Sequence, residues 1–102
     1  MNIAIFGFSG FLGSHISKEL SKNHNVSEIN ARNINYNSSE KEIFKYFNSK
    51  LIDIDIIINS CANIKPTNKN DFFINENLSK LIQNYIINNK LKTHLYHISS
   101  IN

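Results

Sequence analysis

The 102-residue sequence has no tryptophan, one proline, one cysteine and three glycines, and a single arginine, Arg32, stands among its eleven basic residues. The lone cysteine, Cys61, excludes an internal disulfide framework and fits a reducing compartment. As a nucleophile it would need a group that stabilises the thiolate, and nothing adjacent supplies one. No apolar stretch reaches membrane length, and Met1-Asn2-Ile3 leads directly into an apolar segment with no signal peptide ahead of it, so a cytoplasmic location is expected and a membrane partner is not. The formal charge of +3 comes from lysines scattered along the chain, without a basic run or an aromatic interleave; they read as solvated surface and not as a nucleic-acid footprint. Hydrophobic residues at 41% and charged residues at 19% fit one small soluble globular domain.

What the chain does have is concentrated near its start. All three glycines, Gly7, Gly10 and Gly13, lie in the run IAIFGFSGFLGSHISKEL. Asn2 to Phe6 reads as a buried strand, and Leu12, Ile16 and Leu20 recur every four residues as one helical stripe, so the glycines occupy a strand-to-helix turn. In such a turn the first glycine permits the sharp exit from the strand, and the second lets backbone approach a phosphate. The third lets the helix pack closely on the strand. The helix start then offers unpaired N–H groups and partial positive charge to a pyrophosphate. The spacing has one residue more between the first two glycines than G-x-G-x-x-G. Gly7, Ser9, Gly10, Phe11, Leu12 and Gly13 are therefore the candidate dinucleotide cradle.

Strand and helix patterns alternate through the rest of the sequence. Val26 to Ala31 is expected to be a second strand and Asn33 to Asn37 a rudimentary third. Ser39 and Glu42 form a capping-box pair that starts a helix near Glu40, with Ile43, Phe44, Phe47 and Leu51 on one face. Leu51 to Ala62 carries a fourth strand. Asp71 to Asn89 reads as a longer helix with Ile74, Leu78, Leu81, Ile82, Tyr85 and Ile86 at helical spacing and its tyrosine and leucines in the core, after a loop around Pro66. His94 to Ser100 gives a fifth strand. This alternation predicts an α/β fold, a Rossmann-type parallel sheet of strand order 3-2-1-4-5 with flanking helices and right-handed crossovers. The glycine turn, Ala31-Arg32, Cys61-Ala62 and Ser100 then converge on the carboxyl edge, where the order reverses between strands 1 and 4.

The glycine spacing at the N-terminus resembles the extended short-chain dehydrogenase/reductase family of nucleotide-sugar epimerases, dehydratases and reductases. Leu51-Ile52-Asp53-Ile54-Asp55-Ile56-Ile57-Ile58-Asn59-Ser60-Cys61-Ala62 is similar to the family's "D-V-V-I-N-A-A-A" stretch, and His94 to Ser100 to its fifth strand, which closes with a Ser-Ser or Ser-Thr pair. The run RNINYNSSEKEI from Arg32 is similar to "R-x-x-L-D-I-T-D-x-x-x-V" of the dTDP-4-dehydrorhamnose reductase branch. The resemblance spans residues 1–102 but only the family's N-terminal, cofactor-binding part; the substrate-binding part is absent.

The resemblance implies a bound NAD or NADP, and a nucleotide-sugar substrate in the full-length family. An acid at the end of strand 2 would take the ribose hydroxyls of NAD, whereas an arginine accommodates the 2′-phosphate of NADP. With Ala31-Arg32 there and no acid until Glu40, NADP is preferred. Asn35 and Asn37 stand where the family carries aspartates near the adenine, and an amide can both donate and accept there. Cys61 and Ala62 fall where small residues line the nicotinamide ribose and phosphates.

Ser100 matches the Ser/Thr that polarises the substrate oxygen in the family. The accompanying Tyr-x-x-x-Lys occurs once, as Tyr46 to Lys50, on a helix expected far from the crevice, and is rejected as coincidence. His94 and His97, three apart on a strand, point to opposite faces and cannot share a metal. His15 lies in the first helix, and His24 near its end suits a dipole partner. Asp53 and Asp55 suit a turn on the opposite edge.

The helices leading into strands 4 and 5 share one sheet face, leaving the Gly13 helix nearly alone on the other, so the chain by itself is expected to expose apolar sheet and to be aggregation-prone, dimeric or only partly stable. Three readings stand. One is the NAD(P)-binding portion of a nucleotide-sugar oxidoreductase, epimerase or dehydratase, inactive alone. Another is a non-catalytic dinucleotide-binding or redox-sensing module, and the third is a degenerate, truncated product.

Overall fold

Asn2–Phe6 forms the first strand, β1, and its last four side chains are all buried. A run that is apolar at consecutive positions suits a strand covered on both faces, and β1 is central in the sheet. The structure, a computed structural model, describes residues 1–7, 11–60 and 69–98, with the backbone alone for Phe11, Arg32 and residues 69–76. In chain order β1 is followed by α1 (Phe11–Leu20), β2 (Asn25–Ile29), a 3-10 turn (Ala31–Asn33), α2 (Glu40–Lys50), β3 (Ile56–Asn59), α3 (Lys69–Asn88) and β4 (His94–His97). The sheet is wholly parallel, in the order β2-β1-β3-β4.

The register fixes which side chains share a face. Ala4 pairs with Ile57 and Phe6 with Asn59, and this face receives α2 and α3 through Ile43, Phe47, Leu78, Ile82 and Tyr85. Phe47 is fully enclosed there: its ring meets Phe6 edge-on at 6.1 Å and Tyr85 at 5.4 Å, and Phe44 approaches Tyr85 at 5.4 Å. The Tyr85 hydroxyl donates to Asn48 Oδ1 at 2.7 Å and so ties α3 to α2. On the opposite face Ile3, Ile5 and Ile58 pack with Ile16 and Leu20 of α1. The helices leading into β3 and β4 thus lie together and α1 lies apart, as the right-handed crossover rule requires. Among the described residues α1 packs over β1 and β2, toward one side of its face, and Tyr96 of β4 is 57% exposed.

The expected third strand is not formed among the described residues. Asn33 to Asn37 alternates polar and apolar residues, and Ile34 and Tyr36 are indeed buried. They reach the core from turns and not from an extended strand: Asn33 N donates to Asn30 O at 3.2 Å, Ile34 N to Ala31 O at 3.3 Å, and the Tyr36 hydroxyl closes back on Ala31 O at 2.9 Å. The order is therefore the expected one without its outermost strand. The second strand also ends earlier than expected, at Ile29. Ala31, expected within it, is buried against the α2–α3 side of the core.

The N-cap of α2 is Ser39, whose hydroxyl accepts from Glu42 N at 3.3 Å, while the Glu42 carboxylate pairs with Lys45 at 3.5 Å. At the amino edge of the sheet Asp53 takes a left-handed φ of 55°. Asn2 N donates to Asp55 Oδ2 at 2.8 Å, Asn2 Nδ2 to Asp53 O at 3.0 Å, and Asn25 N to Met1 O at 3.0 Å. Both aspartates thus serve the turn into β3. Among the described residues, no helix is long and apolar enough to cross a membrane.

Candidate functional site

The strand order reverses between β1 and β3, because the chain moves from β1 outward to β2 and later from β3 outward to β4. In an open α/β sheet the usual ligand position is the crevice at such a reversal, past the carboxyl ends of the two strands. Gly7 and Ser60 are the first residues past those strands, on either side of the reversal.

Gly7 has a φ of 85°, a conformation that a side chain would strain. Gly13 sits on the first turns of α1, so close to the strand exit that an added Cβ would overlap the Gly7 carbonyl oxygen and stand 2.7 Å from Ser60 Oγ. Ser60 completes the contact: its hydroxyl lies 3.0 Å from Phe6 O and 3.2 Å from Gly7 O, and its N–H donates to Phe6 O at 3.0 Å. The exits of β1 and β3 and the first turn of α1 are thereby drawn onto one point. The first N–H groups of α1 lack intrahelical partners and suit an anion.

Of the expected site residues, the structure brings Gly7 and Gly13 together and puts Leu12 at the mouth of the helix. Leu12 is 45% exposed and does not continue the stripe of Ile16 and Leu20, because at the start of α1 it stands beyond the end of the sheet. Phe11 opens the helix. Arg32 lies within the 3-10 turn, three residues past β2, and Asn30 is the first residue beyond that strand, in line with Gly7. Asn35 is exposed, and its Oδ1 accepts from Asn37 N at 3.1 Å, which makes it a turn-forming residue where it stands. Ser9, Gly10, Cys61, Ala62 and Ser100 lie outside the described residues. Next to the Asn35 turn, Tyr36, Ser38, Ile43, Asn77, Leu81 and Asn84 line a hollow of about 220 Å³.

Sequence reasoning missed two residues of this edge. Ser60 stood in the sequence only as a member of the Leu51 to Ala62 run, two residues past its last isoleucine. Asn30 was hidden by placing the end of β2 two residues late.

The remaining polar candidates are distributed as their spacing implies. Tyr46 and Lys50 are on α2, whose C-terminal end leads to the amino edge; Lys50 Nζ stands 6.0 Å from the Tyr46 ring centroid, and burial pushes the Tyr46 phenol up. A catalytic pair would need the phenol pulled down. His94 and His97 face opposite sides of β4, and the backbone N–H of His24 caps α1 by donating to Leu20 O at 2.9 Å. Among the described residues no three His, Cys, Asp or Glu side chains gather as metal ligands.

No protein-family model and no curated protein matches the sequence. Solved structures do. The protein lin1944 from Listeria innocua superposes with a TM-score of 0.55 at 18% identity, over 92% of this chain and 50% of its own. That likeness shows the fold, a Rossmann-like α/β sheet with flanking helices. A dTDP-4-dehydrorhamnose reductase from Clostridium acetobutylicum is 31% identical over 63% of this chain and 22% of its own, at a TM-score of 0.48. The capsular polysaccharide assembling protein CapF from Staphylococcus aureus is 20% identical over 95% and 30%, at 0.46. The chain spans half or less of the length of each.

Proposed function

We propose that this chain is the NAD(P)-binding portion of a nucleotide-sugar oxidoreductase, epimerase or dehydratase, with NADP(H) the preferred cofactor. The observation that carries the reading is the contact of Gly13 with Gly7 and Ser60 at the point where the strand order reverses. A glycine that a methyl group would force off a neighbouring carbonyl is required for packing. A glycine at φ 85° beside it is required for the turn, and together they bring the start of α1 to the crevice. The pyrophosphate would take the helix N–H groups, and Arg32 would meet the 2′-phosphate. The nucleotide-sugar assignment rests on the sequence resemblance of the glycine spacing and of the Leu51 to Ala62, His94 to Ser100 and Arg32 to Ile43 runs.

When bound, the cofactor supplies hydride transfer; this chain's residues hold and orient it. Ser100 is the residue assigned to the substrate oxygen. The resemblance implies a tyrosine, with a lysine four residues on, for proton transfer at that oxygen. Tyr36 and Tyr85 are core residues with bonded hydroxyls, and Tyr46 is on α2. Tyr96 is on β4 but has no lysine four residues on. The chain alone is therefore a binding unit without a complete catalytic set.

Parallel titrations with NADPH and NADH, followed by nicotinamide fluorescence, test this. The expected result is tighter binding of NADPH by about tenfold or more, the scale of one charge-assisted contact to a phosphate, lost in Arg32→Ala while NADH binding is unchanged. Equal affinities, or an Arg32→Ala variant that still prefers NADPH, remove the cofactor preference. No binding of either removes the reading.

A further inference from the structure

Asn59, Ser79 and His97 form a polar chain that the dinucleotide site does not itself use. Asn59 is the last residue of β3 and only 1% exposed, in register with Phe6 on one side and His97 on the other. Its Nδ2 donates to Ser79 Oγ of α3 at 2.7 Å, and Ser79 Oγ lies 2.8 Å from Nδ1 of His97, the last residue of β4. A carboxamide buried among aromatic and aliphatic side chains is costly unless it is hydrogen-bonded, so this group is held in place by its partners. A hydroxyl has one proton to give. With the Asn59 amide donating to the Ser79 oxygen, the Ser79 proton can be given to Nδ1, the arrangement in which the His97 ring carries its hydrogen on Nε2.

The same residues touch the crevice through the backbone. Asn59 O accepts from Ile98 N at 2.9 Å, and the residue after Asn59 is Ser60, whose hydroxyl and N–H hold Phe6 O and Gly7 O. Displacement of Asn59 therefore reaches the Gly7 turn within one residue, and displacement of His97 reaches Asn59 through Ile98 N.

We propose that Asn59, Ser79 and His97 are a positioning relay for the dinucleotide site: they fasten the ends of β3 and β4 to α3, hold His97 as its Nε2–H tautomer, and so keep Ser60 against the glycine turn. The relay rests on the dinucleotide reading of the crevice. None of its side chains is assigned a contact with cofactor; they act through Ser60.

Two measurements on the full chain test it, with NADPH as probe. In ¹⁵N-histidine spectra the wild-type His97 ring is expected as a single Nε2–H tautomer, and Ser79→Ala is expected to turn it into a mixture. NADPH affinity is expected to fall about tenfold in Ser79→Ala and in His97→Leu, the scale of one lost hydrogen bond. His97→Asn, whose amide oxygen can accept from Ser79 where Nδ1 did, is expected to bind within about threefold of wild type on the same scale. Melting temperatures recorded alongside identify a variant that has lost its fold, and the two exposed His97 substitutions then carry the comparison. The relay is overturned if wild-type His97 is already a tautomer mixture, or if wild type binds NADPH and His97→Leu binds it equally well. A wild-type chain that binds no NADPH instead overturns the dinucleotide reading, and with it any role of the relay in that site.

Discussion

Gly13 is the residue on which the site geometry turns. The atoms that a Cβ would strike are the backbone carbonyl of Gly7 and the Ser60 hydroxyl, and a backbone carbonyl cannot swing aside as the end of a long side chain can. Gly13→Ala should therefore push α1 off the strand exit, at a cost of about 1–3 kcal/mol or somewhat more by analogy with overpacked cores. Gly7→Ala should cost about 1–2 kcal/mol through its left-handed backbone alone. Denaturant unfolding of the two variants measures both, and Gly13→Ala should also lose NADPH binding; wild-type stability and binding in Gly13→Ala would falsify the close-packing account. The roles of these two glycines were legible in the sequence because each follows from what a missing Cβ permits. The part played by Ser60 was not. It depends on β3 ending level with Phe6, and a strand register between residues more than fifty apart leaves no local signal.

At the scale of elements, the helices were legible to within two residues. α2 had a capping serine and an apolar face of Ile43 and Phe47, and α3 carried Leu78, Ile82 and Tyr85 at helical spacing. The segment after β2 was misread for a physical reason. Alternation in Asn33-Ile34-Asn35-Tyr36-Asn37 reports that every second side chain is buried, and a strand is only one way to arrange that. Here the Asn35 amide and carbonyl satisfy Asn37 N and Ser38 N locally, which folds the backbone on itself and leaves no ladder to extend. The α2–α3 contact makes a prediction about pH. Burial raises the Tyr85 phenol above its ordinary value of about 10, because the ionised form would be desolvated. The raised folded value means that the unfolded chain loses this proton first, so the stabilisation is complete below about pH 10 and disappears as pH rises through the folded value. Unfolding free energy followed from pH 8 to 11.5 should fall at the alkaline end, and Tyr85→Phe should fall less steeply there while being less stable at pH 8 for want of the Asn48 bond. An identical alkaline limb in the variant would count against this coupling.

The whole molecule is unevenly covered. Among the described residues, two helices pack on the Ala4, Phe6 and Ile57 face, and one packs on the other, over β1 and β2. Among the described residues β4 pairs with β3 alone, and it carries an exposed tyrosine on that side, an arrangement that invites pairing with another chain. This half of the expectation came from the crossover rule, which needs only the order of strands and helices. Sedimentation velocity at increasing concentration should show self-association, and Tyr96→Lys should shift the distribution toward monomer. A sharply cooperative, strictly monomeric wild-type chain would mean that the open face is no liability.

The interlocked amino edge has a practical corollary. Met1 O, Asn2 N and the Asn2 side chain are all bonded to the Asn25 and Asp53 to Asp55 turns, at the end of β1 remote from the glycines. A peptide fused ahead of Met1 would leave the molecule from that far edge. An amino-terminal affinity handle would therefore anchor the chain to a sensor surface with its crevice turned toward the solution, whereas immobilisation through lysine amines would give mixed orientations.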